Sequence, residues 1–416
     1  APYKSGEVSD DFALEMALAR IRQLSAHEVG HTLGFSHNFA ASTLNRSSVM
    51  DYPHPWIKAS GGDLDFSQAY AVGIGNWDKI TVKYAYGEFP GDEETELRNL
   101  LDQAFEEGHR YVTDADARPA GSSNVYAHLW DNGNDIVEEL ANVMDVREIG
   151  ISNFSADNIR VDEPFTVLED VFVPLYFYHR YQTEAVSKLI AGQEYGYRVR
   201  GGKQGPSKVL SAQEQQRALD ALMTTIDAKR LAIPKDKQDL FLPRAFGYPR
   251  TRESFISQLG VDFDPFSAAS TASRMTFSFV LHPERASRLV AQKAMDKEQL
   301  GLEEVLDKLI NNTFGTEHKD PYLTEIQNHI NEQLLEAMYD LVASKHAYKG
   351  ARSLAADRLR SLADDLFGKE GSASQRAINR FNSQEITRFL KNPGAWKVKK
   401  APRIPDGSPI GTYLGL

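Results

Sequence analysis

The stretch His27-Glu-Val-Gly-His31-Thr-Leu-Gly34-Phe-Ser-His37 decides how this chain is read. His27 and His31 are four residues apart, so on a helix their imidazoles project from one face about one turn from each other. Glu28 follows the first imidazole and can reach a water on a metal without ligating the metal itself. Gly34 offers a backbone conformation that is costly for other residues, so the chain can leave the helix there and bring His37 back. Three neutral imidazoles suit one zinc ion and leave a fourth position open, as in catalytic rather than structural zinc sites. A bare H-E-x-x-H also falls by chance on ordinary surface helices. The added glycine and third histidine, and Ser48-Val49-Met50-Asp51-Tyr52 downstream, make coincidence a poor explanation.

H-E-x-x-H-x-x-G-x-x-H followed by a methionine turn resembles the metzincin metalloproteases. The resemblance implies a zinc metalloendopeptidase acting on peptides or proteins, with Met50 as an apolar floor beneath the metal. Tyr52 matches the tyrosine that astacins and serralysins use as a mobile zinc ligand and transition-state donor. The longer string His37-Asn-Phe-Ala-Ala-Ser42, with Asn76-Trp-Asp-Lys-Ile80 and Tyr84-Ala-Tyr86-Gly87, is similar to a bacterial metzincin family of large secreted or envelope proteins. Those proteins carry a long helical region after the protease core, so a secreted or periplasmic location is implied. The specific motifs cover residues 27–87. Looser likenesses lie at Trp130-Asp-Asn-Gly133, His179-Arg-Tyr-Gln182 and Pro405-Asp-Gly-Ser-Pro-Ile-Gly411.

Metzincins place a sheet before the active-site helix, and its edge strand pairs with the substrate backbone. Here 26 residues precede His27, and they read mostly as helix. Ser9 suits an N-cap, and Phe12, Leu14, Ala17, Ile21 and Leu24 give an apolar helical face. The reading is therefore of a C-terminal portion of a longer protein, with the protease sheet absent. The face that the sheet would cover is expected to promote self-association, and peptide hydrolysis by residues 1–416 is expected to be poor.

The expected fold is mainly α. Residues 1–90 would form the C-terminal part of a metzincin catalytic domain and 91–416 a mostly helical region, mixed over 91–210 and helical over 211–416. A net charge of −11 argues against a nucleic-acid surface. The absence of cysteine leaves no disulfides and no thiolate ligands. The most apolar run, Val167 to Tyr178, holds Glu169, Asp170 and Pro174 and is too short to span a bilayer.

Local signals place the elements. The active-site helix is expected over 8–35, a long loop with the methionine turn over 36–75, and a helix from Trp77 to Tyr86. A charged helix follows over 93–108, a short strand at His109 to Thr113, and helices over 134–145 and 164–191, the latter kinked at Pro174. Gly192 to Ser211 suggests a small hairpin. Ser211-Ala-Gln-Glu214 is a capping box opening a helix to about 227. Asp264-Pro265, His282-Pro283 and Asp320-Pro321 each put proline just inside a helix start. The last of these helices runs to about 345 with Ile326, Ile330, Leu334, Leu335, Met338, Leu341 and Val342 on one face. Two more cover about 351–367 and 373–391.

A second, oxygen-rich constellation lies at Asp114, Asp116, Asp131, Asn132 and Asp135. Calcium binding is one reading of it; solvated turn residues are the better one, since no EF-hand spacing is present. His179 and Arg180, on a long helix amid aromatics, read as hydrogen-bonded packing residues, and the metal ligand set is full without His54. Two other functional classes stay open: a scaffold that binds metal without cutting, and a helical interaction module. A binding-only zinc site needs neither Glu28 nor Tyr52, which argues for chemistry.

Overall fold

The computed structural model describes residues 10–250 and 254–398. Ser9, the first two residues of the expected helix 8–35 and the motif at 405–411 lie outside these. The chain is mainly helical and divides into two compact units. One runs to Leu210 and also includes Pro234–Ser254; the other comprises Ser211–Ile233 and the residues from Phe255.

The first unit opens with α1 (Asp10–Thr32), which carries His27 and His31. A loop follows, containing a hairpin of β1 (Lys58–Ser60) and β2 (Asp63–Asp65) that the sequence did not signal. Then come α2 (Asn76–Tyr86), α3 (Glu93–Glu106), the single turn α4 (Asp114–Ala117) and α5 (Ile136–Ser152). Asp92 and Asp135 cap α3 and α5 by accepting from N–H groups of their first turns. The core of this unit includes Leu140 and Met144 of α5 and, from the next helix, Leu168, Phe172 and Tyr176.

Two expectations meet corrections here. Residues 109–113 form no strand: the Val112 N–H and the Arg110 carbonyl are satisfied by the Asn38 side chain, and the Val112 carbonyl by Phe39 N–H. Their hydrogen-bonding capacity is spent on one buried asparagine and one loop contact, not on a ladder. The helix expected over 164–191 is broken outright, into α6 (Thr166–Tyr176) and α7 (Arg180–Ser187). Pro174 has no N–H for the turn before it, and the chain tightens to three-residue bonds at Tyr178 and Arg180 before re-entering helix. The hairpin expected over 192–211 is present as β3 (Gln193–Glu194) paired antiparallel with β4 (Lys208–Val209).

The second unit is all helix: α8 (Ala212–Thr224) and α9 (Ala228–Leu231), then, beyond the short α10 (Lys235–Gln238) of the first unit, α11 (Pro265–Val280), α12 (Pro283–Met295), α13 (Leu302–Thr313), α14 (Pro321–Ala343), α15 (Lys349–Gly368) and α16 (Ala373–Lys391). The Ser211–Glu214 capping box is formed, and Pro265, Pro283 and Pro321 each start a helix as expected. α14 is central. It packs on α11, α13 and α15 and buries all seven apolar residues of the face read from the sequence. No helix among the described residues is long and apolar enough to cross a membrane.

Candidate metal centre

α1 ends where the site needs it to. Gly34 has φ +89°, its N–H bonds to the His31 carbonyl and the Phe35 N–H reaches back to Gly30, the two bonds of a Schellman cap. The chain thereby reverses over the last turn. Asn38, fully buried, then fixes it: its N–H donates to the Met50 carbonyl, its amide to Arg110, and its Oδ1 accepts from Val112. His37 is delivered next to His31, with Nε2 to Nε2 at 3.2 Å.

Each ring has its other nitrogen tied down. His27 Nδ1 bonds to the Val49 carbonyl at 2.6 Å and His31 Nδ1 to the Phe35 carbonyl at 2.8 Å. His37 Nδ1 lies 2.8 Å from Asp114 Oδ2. With Nδ1–H donating in every case, the three Nε2 lone pairs are left for a common acceptor. Burial, first of all, pushes the His27 pKa down and favours the neutral ring a metal requires.

These residues fit a zinc ion. One ligand nitrogen from each ring lies within 4.8 Å of the others. Two ligands at about 2.0–2.1 Å from a tetrahedral zinc stand about 3.3–3.4 Å apart, close to the His31–His37 separation. Among the described residues this is the one group of three or more histidines or carboxylates close enough to hold a metal.

The methionine turn is clamped from below. Asp78 of α2 accepts from Ser48 Oγ at 2.6 Å, Val49 N–H at 2.9 Å and Gly75 N–H at 2.7 Å. Met50 is buried directly against Gly30 of α1, where a β-carbon would come within 2.2 Å of its sulfur. Gly75 is confined likewise: a β-carbon there would meet the Ser47 carbonyl oxygen at 1.9 Å.

Tyr52 lies among the three histidines. Its ring stacks on His27 (centroids 5.1 Å apart) and, on a near-parallel plane, on Trp130 at 4.9 Å. It also meets His37 at 4.6 Å. Trp130 donates its N–H to the Tyr52 carbonyl and has φ +66°, a left-handed conformation strained for tryptophan. Burial raises the Tyr52 pKa, and a hydrogen bond from Arg118 opposes that rise. Glu28 is exposed on α1 beside His27.

A family profile described as Met-zincin matches residues 9–320. The chain belongs to the Met-zincin family. No curated protein and no solved structure matches it. Membership places the chain among zinc metallopeptidases in general, and the three-histidine cluster is where a Met-zincin's metal could sit.

The calcium reading is not supported, because this Met-zincin disperses the four aspartates. Asp114 serves His37 and Arg118, Asp116 accepts from the Tyr195 and Tyr197 hydroxyls, and Asp135 caps α5. Asp131 accepts from Ser42 Oγ at 3.1 Å; burial pushes its carboxyl up to about 7, and Asp51, buried beside it, upward as well. His54 packs on Tyr178, away from the metal group. His179 is buried, as packing requires, but in the break between α6 and α7 and with neither ring nitrogen in hydrogen-bonding geometry with a partner.

Four residues around the Met-zincin centre carry no sequence signal for the part they play there. Asp78 sits in the Asn76–Ile80 motif, but nothing marked its carboxylate as the clamp. Trp130 lay in a noted string without a role. Asp114 reads with the other aspartates, because its contact with His37 closes across 77 residues and leaves no local pattern, and nothing in the sequence marks Arg118.

Proposed function

We propose that this Met-zincin hydrolyses peptide bonds, with Glu28 as general base, Tyr52 as transition-state donor and His27, His31 and His37 holding zinc. The convergence of the three ring nitrogens, with Met50 packed on Gly30 and Tyr52 stacked alongside, carries this reading. Bound zinc supplies Lewis acidity toward a carbonyl and lowers the pKa of water toward 7.

The chain's residues do the rest. Glu28, exposed one residue after His27, takes a proton from the attacking water and delivers it to the leaving amine. Tyr52 donates its hydroxyl to the developing oxyanion; one such donor is worth about 2.7–4 kcal/mol in other proteases. Trp130 and Phe39 flank its ring and keep water from one side of it. Gly34 turns the chain so that His37 arrives, and Met50 fills the floor.

The outer face of α1 supports a further surface. Leu14, Ile21 and Val29 are each about half exposed on the helix that carries the metal ligands. Such a face suits a covering layer or a second copy of the chain. The bacterial, secreted or envelope setting belongs to the same proposal and rests on the motif strings.

The test is a digest of casein and a peptide library by the zinc-loaded chain and by one extended upstream, with Glu28→Gln alongside in the more active of the two. Glu28→Gln should retain zinc and lose hydrolysis; Tyr52→Phe should retain zinc and lose a smaller part of the rate. A Glu28→Gln protein as active as the parent would sink the mechanism.

A further inference from the structure

Of the three imidazoles, two are backed by neutral carbonyls and one by a charge. His27 and His31 face Val49 O and Phe35 O; His37 faces the Asp114 carboxylate. A carboxylate behind a ligating histidine fixes its tautomer and raises its basicity more than a carbonyl does.

Asp114 divides its two oxygens between tasks. Oδ2 receives His37 Nδ1 and the Thr113 hydroxyl at 3.1 Å, and Oδ1 receives the Arg118 Nε–H. Arg118 extends over the rings of Phe39 and Tyr52 and also bonds to the Tyr52 side chain.

The turn that carries both residues is anchored from its far side. Asp116 is gripped by the Tyr195 and Tyr197 hydroxyls, Thr113 N–H donates to Tyr197 at 3.1 Å, and the buried Lys188 ammonium donates to the Ala117 carbonyl. An exposed aspartate–arginine pair four residues apart on a free helix contributes little. Here the pair sits on a braced turn and ends on a metal ligand.

We propose that Asp114 and Arg118 form a positioning relay to His37: Asp114 makes His37 the strongest donor of the three, and Arg118 holds Asp114 in line for it. The relay rests on the reading of the three histidines as zinc ligands. It is independent of peptide hydrolysis, and it gives Arg118 an effect opposite in sign to plain electrostatics. A guanidinium near a cation site repels the cation, so deleting it would tighten zinc binding if charge alone mattered. Deleting a positioning residue weakens it.

Zinc affinity by chelator competition decides the matter, with far-UV circular dichroism to confirm folding. Asp114→Asn should bind zinc about 10–100-fold more weakly, and Asp114→Glu should recover part of that loss. Arg118→Met, at a half-exposed position, should weaken zinc by at least about threefold. In the Asp114→Asn background the same change should have no further effect. Zinc binding in Arg118→Met that equals or exceeds the parent's overturns the relay, as does parental affinity in Asp114→Asn. His31→Ala separates the two readings: if it keeps its zinc, the ligand assignment fails, whereas if it loses zinc while Asp114→Asn does not, the relay alone fails.

Discussion

Gly30 and Met50 are fitted closely to one another: a β-carbon at residue 30 would lie 2.2 Å from the Met50 sulfur and 3.2 Å from its methyl, so any side chain there displaces the methionine. The glycine between His27 and His31 is therefore a packing requirement of the methionine turn. Gly30→Ala should cost about 1–3 kcal/mol, as over-packing does elsewhere, even though alanine favours helix. Denaturant unfolding would read the loss, and Gly30→Ala with Met50→Ala should recover part of it. A Gly30→Ala protein of parental stability would mean that the methionine turn moves freely.

Asp78 predicts a second fragility. Its carboxylate is the acceptor for Ser48, Val49 and Gly75 together, and it is buried. Asp78→Ala leaves buried donors unpaired, at an expected cost on the order of 3 kcal/mol. Zinc affinity should fall as well, because the Val49 carbonyl that orients His27 sits on the released turn. Thermal unfolding and zinc competition on the variant check both; loss of neither would show the clamp to be dispensable.

Metal content gives the third prediction. After zinc loading and desalting, elemental analysis should return about one zinc per chain, and His31→Ala should lose it. Zinc should also raise the melting temperature of the parent as its concentration rises, since it binds the folded three-histidine site more tightly than the unfolded chain. Equal zinc in the variant would remove His31 from the ligand set.

His179 makes a prediction about acid. It is fully buried, and burial, then the neighbouring Arg147 and Arg180, hold its pKa well below the ordinary 6.5. The folded ring stays neutral while the unfolded one takes up a proton below pH 6.5. Stability tied to His179 is thus complete above that pH and declines as pH falls, by about 1.4 kcal/mol per unit. Urea unfolding between pH 7.5 and 5.5 should show such a decline, to which His128 and His54, held low by burial in the same way, also contribute, and His179→Gln should make it shallower. An unchanged slope would place the acid sensitivity elsewhere.

What sequence could and could not disclose follows from distance along the chain. His27, His31, Gly34 and His37 lie within eleven residues, so their geometry is written in helical periodicity and one glycine. Proline at residues 265, 283 and 321 marked helix starts for the same reason, since a cap is a local event. The contacts that finish the site are of another kind. Asp114 meets His37 across 77 residues, and Asp78 meets Val49 across 29. Neither carboxylate differs in local context from the acids around it, and so sequence alone groups Asp114 with its neighbours instead of its partner. The absent strand at 109–113 has the same origin: Asn38, far upstream, took the hydrogen bonds that a ladder would have used.

The braced turn at Asp114 also bears on the order of assembly. Two imidazoles one helical turn apart can meet a metal in a nascent helix, before any long loop has closed. The acid behind His37 arrives only after the intervening 77 residues have paid their closure entropy, which grows with the logarithm of loop length. Zinc captured early would be held loosely and tighten when that loop docks. Its dissociation rate during refolding would then serve as a clock for the slow, non-local step, while helix formation, finished long before, would pass unrecorded.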